Sequence, residues 1–345
     1  MMPDLLATRG LLQPMDRLAY LRRNYGKKDI SEGETAGGGP SPKRVERDRF
    51  MAVDDMVPLR AAAVALGLFV LTLVVPVQAQ EAPLRTAAPD APVVLVPHRA
   101  IYDLSLLQTR GNSSIAAVRG RILYDFGGSA CDGYSLTFRQ VSELSSSEGK
   151  QSTSDLRSTT WEGADAKRFK FTSQNFVDGN LVDAVDGNAD HDGKMTDIDL
   201  HRPEHKTLDL GGSLVFPTEH MVRAIEAARM GKTILSFPVY DGSENGEKIF
   251  NTLTVIGKQI APGARNHDDA AAHEPKLADV PRWPVTISYF AKDKVGQSGE
   301  QTPDYAIGFE LYDNGISRAL TLDYNDFIVT GKLVSLDIKT PKPCK

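Results

Sequence analysis

Tyr240-Asp241-Gly242-Ser243-Glu244-Asn245-Gly246 separates two runs of strand-forming residues, 233–240 and 248–260. Asp-Gly and Asn-Gly both reach positive φ at little cost, so the chain reverses here and its flanks should pair as antiparallel neighbours. The same grammar recurs at Asp313-Asn314-Gly315, between runs 305–312 and 316–324, and at Asp178-Gly179-Asn180, between 167–177 and 181–185.

Working outward, Ile101, Asp103, Ser105 and Leu107 alternate with Tyr102, Leu104 and Leu106, and 115–126 follows after Gly111-Asn112. Gly127-Gly128-Ser129 then turns the chain into 131–144, where Tyr134, Leu136, Phe138 and Gln140 share one face of a period-two strand. Polar strands at 152–161 and 167–177 and later strands at 283–291 and 327–338 complete the set. Short turns imply antiparallel neighbours, and neither heptads, a fixed repeat nor a Rossmann alternation is present. The expected fold class is mainly β: a single twisted antiparallel sheet curled into a barrel or spiral.

One amphipathic helix interrupts it. Thr218 stands as N-cap behind Pro217, Met221, Val222, Ile225 and Ala228 form an apolar stripe, and Gly231 can close the C-terminus. It is expected to cover an opening or edge of the sheet. Residues 261–282, rich in Pro, Ala and acids, read as an exposed insertion.

The N-terminus has a different character. Arg60, the apolar run 61–75 and the small residues before Gln80 read as a cleaved signal peptide over 56–79, the alternative being a signal anchor, for which the run is short. Residues 1–55 read as a disordered extension or the product of an upstream start that is not used, and 80–97 as a leader linker before one domain at 98–345. The 266 residues from Gln80 carry 29 basic and 36 acidic side chains, which argues against nucleic acid as a partner. Cys131 and Cys344 are the two cysteines of the chain. In an oxidising compartment they are expected to pair, the alternative being two unpaired buried thiols.

His201-Arg202-Pro203-Glu204-His205 matches a zinc-protease pattern that needs a helix, and Pro203 argues for a turn instead. Asn188-Ala189-Asp190-His191-Asp192-Gly193, with Asp199 at the twelfth position, resembles a calcium loop without flanking helices, and a polar hairpin tip explains it as well. His267, Asp268, Asp269, His273 and Glu274 read as solvated loop, and His98 and His220 as surface or capping residues. No catalytic, cofactor-binding or metal residues are assigned and no cofactor is expected. Tyr134, Phe138, Phe237, Phe250, Phe290 and Phe309 either line a cavity for an acyl chain or peptide, or simply fill the core.

Several stretches resemble the envelope integrity protein B (EipB) family of bacterial periplasmic proteins. They are Cys131-Asp132-Gly133-Tyr134 leading into Phe138-Arg139, Leu214-Val215-Phe216-Pro217-Thr218-Glu219-His220, the 240–246 turn, Thr254-Val255-Ile256-Gly257-Lys258, Phe309-Glu310-Leu311-Tyr312-Asp313-Asn314-Gly315, and Gly331-Lys332-Leu333. The resemblance spans roughly residues 93–345. It implies a β-spiral, a disulfide mapping onto Cys131 and Cys344, and a non-enzymatic periplasmic role in envelope integrity under stress. An envelope protein or lipid component is then the expected partner, with no stable membrane span after signal cleavage. The alternative expectation is a carrier of a lipid or other apolar ligand.

Overall fold

The computed structural model describes residues 91–212, 214–261, 264, 268–291 and 301–340. Its strands are β1 (His98–Thr109), β2 (Ile115–Ser129), β3 (Gly133–Ser146), β4 (Gln151–Glu162), β5 (Arg168–Val177), β6 (Asn180–His191), β7 (Met195–Arg202) and β8 (Lys206–Gly211). After helix α1 (Pro217–Arg229) come β9 (Ile234–Val239), β10 (Phe250–Ile256), β11 (Arg282–Ala291), β12 (Tyr305–Tyr312), β13 (Ser317–Asp323) and β14 (Phe327–Ile338). All belong to one 14-stranded sheet in the order β8-β7-β6-β5-β4-β3-β2-β1-β14-β13-β12-β11-β10-β9. Two antiparallel meanders are thus joined where β1 pairs with β14, and β8 and β9 remain at the open ends.

The sheet curls, because strands far apart in that order share one core. Phe126 and Tyr134 of β2 and β3 pack with Ile256, Trp283, Val285 and Leu311 of β10–β12, around Ala224, Ile225, Ala227 and Ala228 of α1. The helix therefore lies against the inner face of both walls, in contact with the edge strand β9 and with β10. Val93 and Leu95, in the described end of the stretch read as a leader, are buried in the same cluster.

Four details depart from expectation. Strands β7 and β8 occupy a region read as hairpin tip and turn: the tip shrinks to 192–194, while His201 and Arg202 close β7 ahead of a turn at 203–205. Strand β10 stops at Ile256 because Gly257 closes tightly on Pro284. The N-cap of α1 is Phe216, with Pro217 in the first turn, and no side chain of its own caps it. Finally, the insertion is not simply exposed. Asp269, Ala271 and Leu277 are buried, because Asp269 caps a 3-10 turn (Ala270–His273) and meets Arg318 on the sheet at 2.8 Å.

Candidate functional site

The 240–246 stretch, expected only to turn the chain, also clasps the spiral. Strands β9 and β10 pair as expected, Val239 opposite Phe250. The loop between them docks on the inner face of β5–β7 at the other end of the sheet. A Cβ at Gly242 would lie 2.4 Å from the Phe171 ring, and one at Gly246 would lie 2.5 Å from the Leu200 side chain. Both glycines also have positive φ, so contact and backbone demand the same residue. Tyr240 is fully buried beside Phe169 and Phe171 and donates its hydroxyl to the Gly246 carbonyl at 2.7 Å. Lys206 of β8 reaches Glu247 at 2.8 Å.

A second tie comes from β4. The Glu162 carboxylate, 3 % exposed, accepts the Thr218 and Glu219 backbone N–H groups at 2.7 and 2.8 Å, supplying the cap that α1 lacks. Burial pushes its carboxyl up to about 7 against the lowering effect of those hydrogen bonds. His220, on the next turn, shares a 2.9 Å hydrogen bond with the Thr254 hydroxyl, and burial lowers its imidazole to about 4.

Between these ties lies the inner wall. Register places Tyr124, Phe138, Ser158 and Ser173 in one row across β2–β5, and Ile122, Gln140, Leu156 and Asn175 in the next. On the opposite wall Tyr289 and Phe309 point inward, while Phe290 lies opposite Asn251 and faces out. Of the six aromatics expected inside, Phe290 is therefore the error, since period two assigns its neighbour Tyr289 to the interior. Tyr134 and Phe250 are packed core, whereas Tyr124, Phe138, Tyr289 and Phe309 are only half-buried. The side chains of Asn175, buried to 1 %, have no hydrogen-bond partner for either amide atom. No sequence signal marks Asn175, a polar residue in a polar strand.

The other candidates do not assemble. His201 lies 3.3 Å from Asp186 and 3.5 Å from Asp199 on exposed strand surface, and its ring is 6.0 Å from that of His205. Asp192 accepts the Lys194 and Met195 N–H groups, as a hairpin tip requires. Asp190, Asp192 and Asp197 border a recess of about 320 Å³ together with Lys167 and Arg168. His273 meets Asp268 at 3.5 Å in solvent, Glu274 caps a turn, and His267 is outside the described residues. Among the described residues no three His, Cys, Asp or Glu side chains converge as a metal would require. Nor is any helix there long and apolar enough to cross a membrane. His98 is not a surface residue: it is 1 % exposed, stacked on Tyr124, with Nδ1 2.8 Å from the Val96 carbonyl. Cys131 stands in the β2–β3 turn, and Cys344 and the 56–79 signal are outside the described residues.

An open antiparallel spiral wrapped on one helix defines a barrel-like β protein with a shielded inner wall. The chain belongs to the EipB-like family, whose model matches residues 89–340. It is 43 % identical over 252 residues to the cell envelope integrity protein EipB of Brucella abortus (strain 2308), covering 73 % of this chain and 87 % of that protein. It also resembles the crystal structure of a β-barrel-like protein of a domain of unknown function from Brucella abortus. The TM-score is 0.65 at 41 % identity, over 72 % of this chain and all of that one.

Proposed function

We propose that this chain is an exported, periplasmic protein that maintains cell-envelope integrity under stress without catalysis, by binding a partner protein or envelope component. The observation that carries this reading is the extent of the match to a relative named for envelope integrity. Residues 56–79 act as the export signal, with 1–55 outside the functional protein. Deleting the gene in its own host should raise sensitivity to detergent and to cell-wall antibiotics. The full chain should restore resistance and a chain lacking 56–79 should not; equal rescue by both would reject the exported role.

In the same reading Cys131 and Cys344 form a disulfide. Phe126 and Ile338 both lie opposite His98, in the two strands flanking β1, so β2 and β14 run to the same rim. Those flanking strands lie about 10 Å apart, and the six residues from Ile338 to Cys344 can span about 20 Å. Closing so long a loop stabilises by roughly 5 kcal/mol in the chain-entropy model. Free thiols at both positions in non-reducing peptide maps of exported protein would reject the bond.

A second reading, a carrier of a lipid or other apolar ligand, is favoured by the half-accessible aromatics of the inner wall. Native mass spectrometry of protein from its own host separates the two, since a reproducible lipid adduct favours the carrier.

A further inference from the structure

The inner wall has three properties that together specify a ligand. First, it is accessible: Tyr124, Phe138, Ser158 and Ser173 form a row in mid-strand, facing the inside of the curl, yet each keeps accessible surface. Tyr289 and Phe309 do the same from the far wall. Second, it offers no spare positive charge. Among the described residues no Lys or Arg faces inward from β2–β5 or β10–β13, and the two cations that lie over inward rings, Lys248 over Phe250 and Arg223 over Phe237, are ion-paired with Glu244 and Glu219. The acids on that side are Glu162, engaged by the helix, Asp241, which accepts from the Ser243 backbone N–H and hydroxyl, and Asp183, opposite Asn175. An anionic group placed there would be left without a counter-charge. Third, polarity is concentrated at one end. Asn175 is buried with both amide atoms unpartnered, and in the same row the Tyr324 hydroxyl, itself buried, faces Gln140 without reaching hydrogen-bond geometry. Buried amides are ordinarily satisfied, and leaving one unmet is costly.

Resting on the carrier reading, we infer that the spiral binds an uncharged amphiphile. Its hydrocarbon lies along Tyr124, Phe138, Tyr289 and Phe309, and its hydroxyl, ester or amide hydrogen-bonds Asn175. Asn175 is 1 % exposed, so its side chain must turn toward the Ser158–Ser173 row to meet the ligand. A neutral head can donate to the amide oxygen and accept from the amide nitrogen, which a carboxylate cannot do.

The test uses 1-decanoylglycerol, the sodium salt of decanoic acid and naphthalene as probes in titration calorimetry at pH 8. The neutral glyceride should bind at one site per chain, about tenfold or more tighter than the carboxylate of the same length. Asn175→Leu, of similar volume, should weaken the glyceride by about five- to tenfold and leave naphthalene unchanged. Equal glyceride affinity in Asn175→Leu, or decanoate binding as tightly as the glyceride to the unaltered chain, overturns the inference while leaving the carrier reading standing. Binding of none of the three overturns both. The comparison of the two decanoyl probes needs no variant, so a misfolded Asn175→Leu does not rescue the idea.

Discussion

On the outer face of the sheet, Arg318 donates to Asp269 at 2.9 Å and to the Tyr312 hydroxyl at 3.3 Å, and Arg282 donates to Glu310 at 3.0 Å, all beneath the 268–280 segment. On the inner face, the Asn175 amide and His98 Nε2 are equally buried and have no partner. The faces also treat protons oppositely. Outside, burial raises the Asp125 carboxyl, but the Lys339 and Arg99 hydrogen bonds outweigh it and keep that group charged; Asp155, between Arg139 and Arg157, behaves likewise. Inside, burial pushes Glu162 to about 7, His220 to about 4 and Tyr102 to about 12, in each case toward the neutral form. Buried charge with a full set of partners holds a cover on the sheet; buried polarity that is neutral and incompletely paired belongs to a wall awaiting something uncharged.

The largest expected effect breaks the outer side of that contrast. Arg318→Leu leaves Asp269, 6 % exposed, without the cation that meets it at 2.8 Å, while Glu310 keeps Arg282. It should lower stability in urea denaturation by about 3–5 kcal/mol. A double replacement of Arg318 and Asp269 by leucine should recover part of that loss, because the stranded carboxylate goes with it. A cost below about 1 kcal/mol would mean that the outer cluster does not hold the cover.

Next comes Glu162, whose folded-state carboxyl titrates near 7 instead of 4.5. Between those values the folded chain binds more protons than the unfolded one, so the contribution of Glu162 to stability falls as pH rises. Glu162→Gln keeps an acceptor for the helix and removes the titration. The difference between the two stability profiles should change by on the order of 2–3 kcal/mol from pH 4.5 to 7. A flat difference would show that the two helix N–H groups and their dipole, not burial, set the charge there.

Gly246→Ala probes the clasp that shields the inner wall. Its positive φ and the approach to Leu200 predict a loss of about 1–3 kcal/mol. If the clasp is what keeps the wall from solvent, hydrogen exchange of β5–β7 should rise together with that of 240–249. A rise confined to the loop would separate the clasp from the wall.

Much of this was legible from residues, and the failures have physical causes. Turn dipeptides located three of the hairpins, at 178–180, 240–246 and 313–315, because positive φ is a local demand that Asp-Gly and Asn-Gly meet locally. Strand β7 was hidden although Thr196, Ile198 and Leu200 alternate with exposed acids, because Asp190, Asp192 and Asp199 also carry calcium-ligand spacing. The tie between Asp269 and Arg318 spans 49 residues and leaves no local trace. Neither does the role of Gly242 against Phe171, which depends on how far the sheet curls. Adjacent Tyr289 and Phe290 have equal claims to the inside, and only the register with β10 decides between them. Asn175 sits beside a register shift in β5, and its neighbours in sequence give no sign that it is buried.

The smallest effect has the most informative sign. His98 Nδ1 is occupied by the Val96 carbonyl, Nε2 has no partner, and burial lowers the imidazole from its ordinary 6.5. Below that value the unfolded chain binds a proton that the folded chain refuses, so the contribution of His98 is present above pH 6.5 and is lost as pH falls. Phenylalanine stacks equally well on Tyr124 and has no nitrogen to leave unmet, so His98→Phe should stay within about 1 kcal/mol of the parent at pH 8. It should become the more stable chain as the solution is acidified below 6.5, and because His220 and Glu162 titrate in both chains they cancel in the difference. If His98→Phe instead loses stability at every pH, Nε2 has a partner in solution, and the inner wall is wetter than a neutral, water-poor surface for an amphiphile would be.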